Sequence, residues 1–248
     1  MSKLIVSGCS YTDNIWIDSH GFTPWPEKLA EKLGMECINL GASGAGNEHI
    51  LSSLMDMMFE KDIGLMIAMW TQPARMDFPS FGARSAKGWV HVHMNGNEHL
   101  SNWKYKIRGT FRQYEIGSFS SLAEKSMRLY YIFQLMMEMH DIPYFQIQGC
   151  KPCFGADEHV FLRGLLKGKF TDKMNENTFI GWPIMSELGG TWVDQILDEI
   201  DPERVRFRIS ESDSHPNEEG HKVIAVMARK FADCISNPVH GTDLPPES

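Results

Sequence analysis

The residues with the most chemistry to offer lie at opposite ends of the chain. Ser10 closes the stretch Val6-Ser7-Gly8-Cys9-Ser10, directly after the apolar run Leu4-Ile5-Val6. His215 lies in Ser210-Glu211-Ser212-Asp213-Ser214-His215-Pro216. A serine hydroxyl is a weak nucleophile until a base within hydrogen-bond reach takes its proton, and that base must itself be oriented by a third group. Asp213 suits the third role, because residues two apart in an extended segment face the same side. Pro216 biases His215 toward such a conformation, and Glu211 is a fallback carboxylate. The chemistry would be acyl transfer, which needs donors aimed at the developing oxyanion. The Ser10 and Gly44 backbone N–H groups suit that task, with either the Thr71 hydroxyl or the Gln72 amide as a third donor. Such a reaction needs no metal and no organic cofactor. The plain alternative for Ser10 is an N-cap, since Ser10-x-x-Asp13 also reads as a helix start.

These residues need a scaffold, and the hydrophobic pattern supplies one. Leu4–Val6, residues 36–40, 63–70 and 143–148, and Val205–Ile209 read as short strands, the clearest being the continuous run Ile63-Gly64-Leu65-Met66-Ile67-Ala68-Met69-Trp70. Helical periodicity appears after Pro24-Trp25-Pro26, after the glycine-rich turn 41–47, and over about 119–141, 157–167, 190–200 and 217–235. Alternating strands and helices predict a three-layer α/β/α sandwich around a mostly parallel five-stranded sheet. The site of such a sheet lies at the carboxyl ends of its strands, which gathers Ser10, Gly44, Asn47, Trp70, Thr71 and Gln72 on one edge. The rhythm breaks over about 73–118, read as an irregular insertion in a single domain spanning 1–236. The tail 237–248 has the composition of a disordered segment.

The totals narrow the class. The net charge of −8 over 248 residues argues against nucleic acid or an anionic membrane as the main partner. No apolar run reaches the roughly 18 residues of a membrane span, and Met1-Ser2-Lys3 leads into a strand without signal-peptide organisation. Five cysteines, an odd number in a chain of this size, fit a reducing compartment, so a cytoplasmic location is expected.

In these blocks the chain resembles the SGNH (GDSL-like) hydrolases, α/β-sandwich esterases named for Ser, Gly, Asn and His in four separated blocks. Gly8-Cys9-Ser10 is similar to their first block. Asn39-Leu40-Gly41-Ala42-Ser43-Gly44-Ala45-Gly46-Asn47 is similar to the second, and Asp213-Ser214-His215-Pro216 to the last. Trp25-Pro26 opening the first long helix is also familiar in that family. The resemblance covers about 3–72 and 205–235. It implies a flavodoxin-like fold, Ser10 as nucleophile, His215 as base, Asp213 as its partner and Gly44 in the oxyanion hole. It also implies an acyl ester as substrate, a small molecule or an O-acetylated carbohydrate. Asn47, Trp70 and Arg75 are candidates for binding that substrate, with a surface carboxylate as the other reading of Arg75. The chain departs from the pattern in three places. Cys9 stands where the family has Asp. Trp70-Thr71-Gln72-Pro73 replaces Gly-x-Asn-Asp, so the oxyanion Asn is missing. Asp-x-His is one residue shorter than the common spacing.

Other motifs compete. Cys150-Lys151-Pro152-Cys153 is a Cys-x-x-Cys pair able to run disulfide exchange, but it follows the fourth strand and has no companion ligands for zinc. His91, His93 and His99 could hold a metal; His91 and His93 share a face only if their stretch is a strand, and a solvated hairpin is the plainer reading. Trp89, Trp103, Tyr105, Phe111 and Tyr114 fit either a wall over the site or a second small core. His221 reads as a packing or surface residue of the last helix.

Overall fold

A computed structural model describes residues 1–80, 88–95 and 103–236; His99 and the tail 237–248 lie outside the described residues. In chain order the elements are β1 (Lys3–Ser7), α1 (Ile15–His20), α2 (Trp25–Leu33), β2 (Glu36–Asn39), α3 (Asn47–Met57), β3 (Ile63–Trp70), β4 (Arg75–Pro79), β5 (Trp89–His93), α4 (Trp103–Gln113), α5 (Phe119–Met139), β6 (Tyr144–Gln148), α6 (Ala156–Lys167), β7 (Phe179–Ile180), α7 (Val193–Ile200) and α8 (Glu218–Ser236). The main sheet runs β2-β1-β3-β6-β7, and every pairing in it is parallel.

The two-residue period of the strands divides the core between the sheet's faces. Leu4, Val6, Leu65, Ile67, Met69, Phe145 and Ile147 pack against α2, α7 and α8. Ile5, Met66, Ala68, Trp70 and Tyr144 pack against α3, α5 and α6. The strands are therefore apolar on both sides, as a parallel sheet between two helical layers requires. Helix α2 begins with Pro26 in its first turn and ends at Gly34, whose φ of +66° closes the last turn.

Two expectations are corrected. The fifth strand is β7, and Val205–Ile209 stays off the sheet. Strand pairing would carry Arg204 and Arg206, both exposed as the chain folds, onto one covered face at heavy desolvation cost. The segment loops instead, leaving Val205 69% exposed and making one isolated bridge, Arg208 to Pro216. Phe179, 1% exposed, fills the sheet edge in its place. The insertion is also more regular than its composition implies. It forms an antiparallel hairpin, β4 with β5, and the helix α4. Met76, Phe78, Val90 and Val92 on one face of the hairpin pack with Met94, Ile107, Phe111 and Leu122. Of the insertion's aromatics, Phe111 meets Phe78 and Trp89 stacks on His49. Phe111 thus belongs to a second small core, whereas Trp89 lies on the hairpin's other face and Tyr114 is exposed.

Candidate active site

β1 ends in a turn with no room for a side chain at Gly8, where a Cβ would fall 2.2 Å from the Thr12 hydroxyl. The Cys9 carbonyl accepts the N–H groups of Thr12 (2.9 Å) and Asp13 (3.2 Å), folding the chain back at once. Cys9 turns inward, 1% exposed, and Ser10 turns outward. Ser10 Oγ lies 2.8 Å from His215 Nε2. His215 Nδ1 lies 2.6 Å from Asp213 Oδ1, which also accepts the His215 backbone N–H at 3.0 Å. With Nδ1–H donated to Asp213, Nε2 is left to accept the Ser10 hydroxyl. Burial works against the Asp213 anion, but the His215 N–H and ring outweigh it and hold the carboxyl below its ordinary range. Glu211 is exposed and sits apart from this chain of bonds.

Several residues that sequence patterns did not single out hold these groups. The Trp16 indole N–H donates to the Ser10 carbonyl (2.6 Å), and its ring lies 5.2 Å from the His215 ring. Tyr11 packs its ring against His215 from another side and donates its hydroxyl to Asp194 (2.6 Å). Arg208 is 3% exposed and donates to Asp194 (2.7 Å), Asp198 (2.6 Å) and the Ser214 carbonyl (2.8 Å). It thereby ties the histidine loop to α7. The one available signal was a charged residue inside an otherwise strand-like run. His221 is fully buried and its Nδ1 accepts the Trp25 N–H; burial, with Lys28 and His215 adding to it, pushes its pKa down to about 3.

The turn after β2 abuts the first corner, since a Cβ at Gly41 would lie 2.7 Å from the Thr12 backbone. Asp13 Oδ2 accepts the Ser43 N–H (2.6 Å) across the same gap. Gly44 adopts φ +84°, in the left-handed region where glycine is free of strain. Among the described residues, neither the Ser10 nor the Gly44 backbone N–H has a hydrogen-bond partner.

The remaining candidates divide. Trp70 is fully buried, packed on Tyr130 and Phe133, with its indole N–H on Gln146, so it lies out of reach of a substrate. Asn47, 2% exposed, is a cross-brace: its oxygen accepts the Thr71 N–H (2.8 Å) and its nitrogen reaches the Thr71 carbonyl and Ser126. Thr71 is fully buried too, its hydroxyl 3.4 Å from Cys150 Sγ, which leaves Gln72 as the partly exposed side chain of that corner. Arg75 donates to the Ala45 carbonyl (3.0 Å); among the described residues it meets no surface carboxylate, and it does not stand wholly free for a ligand.

Cys9 pairs with Cys150 beneath the corner. The hydrogen bond between the two thiols pulls Cys9 below its ordinary value and pushes Cys150 above it, with burial raising both. Cys153 is buried in the core below α6, so the Cys-x-x-Cys pair is split between two environments, and all five cysteines are free. His91 and His93 do share a face of a strand, but a partly buried one: His91 Nδ1 lies 2.8 Å from Asp77 Oδ1 and His93 Nε2 lies 2.6 Å from Gln72 Oε1. Among the described residues no cluster of His, Cys, Asp and Glu is arranged to hold a metal ion, and no helix is long and apolar enough to cross a membrane.

No protein-family model and no curated protein matches this sequence. Solved structures do match. A GDSL-like lipase from Bacteroides thetaiotaomicron is 9% identical at a TM-score of 0.48, over 94% of this chain and 88% of its own. The acetylxylan esterase Axe2 from Geobacillus stearothermophilus, as a catalytic mutant, is 12% identical at a TM-score of 0.45, over 93% and 94%. The psychrotrophic esterase EstA from Pseudoalteromonas sp. is 11% identical at a TM-score of 0.49, over 96% of this chain and all of its own. A GDSL-like lipase and two esterases are thus among the solved structures this chain is similar to.

Proposed function

We propose that the protein is a serine esterase of SGNH type that cleaves an acyl ester through an acyl-enzyme. The observation that carries the reading is the continuous chain Ser10 Oγ, His215 Nε2, His215 Nδ1, Asp213 Oδ1, with links of 2.8 Å and 2.6 Å. Ser10 Oγ attacks the ester carbonyl as its proton passes to His215 Nε2. The Asp213 anion keeps Nδ1–H in place and stabilises the imidazolium that forms. The Ser10 and Gly44 N–H groups meet the oxyanion, and Gln72 is the third donor. His215 then protonates the leaving alcohol, and water, deprotonated by the same nitrogen, hydrolyses the acyl-enzyme. The substrate class is a short-chain ester of a small molecule or a carbohydrate.

Hydrolysis of p-nitrophenyl acetate tests this. Wild type should turn over, and Ser10→Ala should lose on the order of 10⁴-fold or more in kcat. A fluorophosphonate should label wild type at Ser10 and leave the variant unmodified. A wild type without turnover, or a Ser10→Ala protein that keeps it, sinks the reading.

A further inference from the structure

The hairpin β4–β5 turns its polar face toward the site. In its register Arg75 stands opposite His93 and Asp77 opposite His91, so these four side chains share one face, while Met76, Phe78, Val90 and Val92 occupy the other. Each of the four grips one of the two corners that the oxyanion chemistry needs. Arg75 donates to the Ala45 carbonyl. Asp77 accepts the N–H groups of Gly46 (2.9 Å) and His49 (3.0 Å), fixing the start of α3. His91 orients Asp77 through Nδ1, and its ring would stand 3.7 Å from a Cβ placed on Gly44. His93 meets Gln72 Oε1. Its other nitrogen, Nδ1, is buried without a partner among the described residues, which leaves the ring neutral with the proton on Nε2. Gln72 Oε1 is therefore the acceptor, and its amide nitrogen, which has no partner among the described residues, is turned away from the hairpin. His91 and His93, two residues apart on one strand face, are separated by about 7 Å, so Gly44 and Gln72 lie side by side along it.

We propose that this hairpin is the positioning element of the oxyanion hole, with His93 fixing the Gln72 amide so that Gln72 supplies the donor that an asparagine supplies in the family pattern. This rests on the serine-esterase reading. Gln72 touches the reacting oxygen and is catalytic; His93 acts through it and is a positioning residue.

The test is a cycle of His93→Leu, Gln72→Met and the double variant, assayed on p-nitrophenyl acetate with thermal unfolding recorded for each. Gln72→Met should lose about 10²–10³-fold in kcat, the cost of one oxyanion donor. His93→Leu should lose roughly tenfold in kcat at a KM within about twofold, since an unfixed amide still presents its nitrogen part of the time. The double variant should be no slower than Gln72→Met, because His93 has nothing left to orient. If His93→Leu does not fold, His93→Gln and His93→Glu replace it: glutamine can donate to Oε1 and should retain kcat, whereas glutamate accepts only, turns the amide round and should lose it. Unchanged kcat in His93→Leu, equal rates for the Gln and Glu variants, or losses that multiply in the double variant overturn the proposal while leaving the esterase standing. A wild type without Ser10-dependent turnover overturns both.

Discussion

Replacing Arg208 by methionine removes a guanidinium 3% exposed and bonded to Asp194, Asp198 and the Ser214 carbonyl. Methionine fills most of the volume, so the loss is chiefly electrostatic. Breaking a buried ion pair from one side costs about 3–5 kcal/mol, because the partner charge stays behind uncompensated. The side chains of Asp194 and Asp198 are 18% and 35% exposed, so water screens part of that charge and the lower end, about 3 kcal/mol, is expected. In a chain of this size that lowers Tm by roughly 10 °C. Burial already raises the Asp194 pKa, with Tyr11 and Arg208 opposing it. Without Arg208 the pKa rises further, so the deficit should be largest above neutral pH and shrink as acid protonates Asp194. Adding Asp194→Asn should recover part of the loss. The Ser214 carbonyl, next to His215, also loses its donor, so kcat on an activated ester should fall beyond what the fraction folded explains. Urea unfolding at two pH values, with the ester assay beside it, measures all of this. A loss below about 1 kcal/mol with unchanged kcat would refute the view that Arg208 braces the histidine loop.

Three further outcomes are expected. Gly46→Ala drives a Cβ to within 2.5 Å of Asp77 Oδ2, and should cost about 1–3 kcal/mol in denaturant unfolding and slow the ester reaction by shifting the Gly44 turn; a neutral substitution would show that the hairpin and the turn are loosely joined. Native thiol titration with a disulfide reagent should give one fast group, the exposed Cys234, and all five only in denaturant, since Cys9 and Cys153 are buried and burial pushes Cys37 and Cys153 up to about 12; a second fast thiol would place Cys150 nearer the solvent than its bond to Thr71 implies. Acid should destabilise the fold early. Burial holds His221 down to about 3, and burial with Arg75 and Arg108 holds His93 down to about 4, from 6.5 in the unfolded chain. Folded-state pKa values below the unfolded one mean that stability is level above pH 6.5 and falls as the unfolded chain takes up protons below it, by at most about 1.4 kcal/mol per pH unit for each ring. A flat stability curve from pH 6.5 to 4.5 would contradict the burial of both rings.

The sequence by itself determined what nearest neighbours decide. The apolar runs at 4–6 and 63–70 are strands because only a sheet covered on both faces hides every side chain of such a run. Asp213-x-His215-Pro216 nominates an acid and base because two-residue spacing brings side chains to one side, whatever lies elsewhere in the chain. Tertiary structure alone decided the rest. Ser10 and His215, separated by 205 positions, close to one hydrogen bond only through the parallel sheet and the Arg208 brace. Phe179 takes the sheet edge from Val205–Ile209 because the neighbouring helices offer it an apolar seat and offer the exposed Arg204 and Arg206 none. Asn47 and Trp70 look accessible at strand ends, yet both are covered by α5, about 60 to 80 residues on. The hairpin reads as part of an irregular insertion with a solvated face because its polar side chains are partnered by loops distant in sequence, and periodicity records a solvated face and an inward polar face with the same letters.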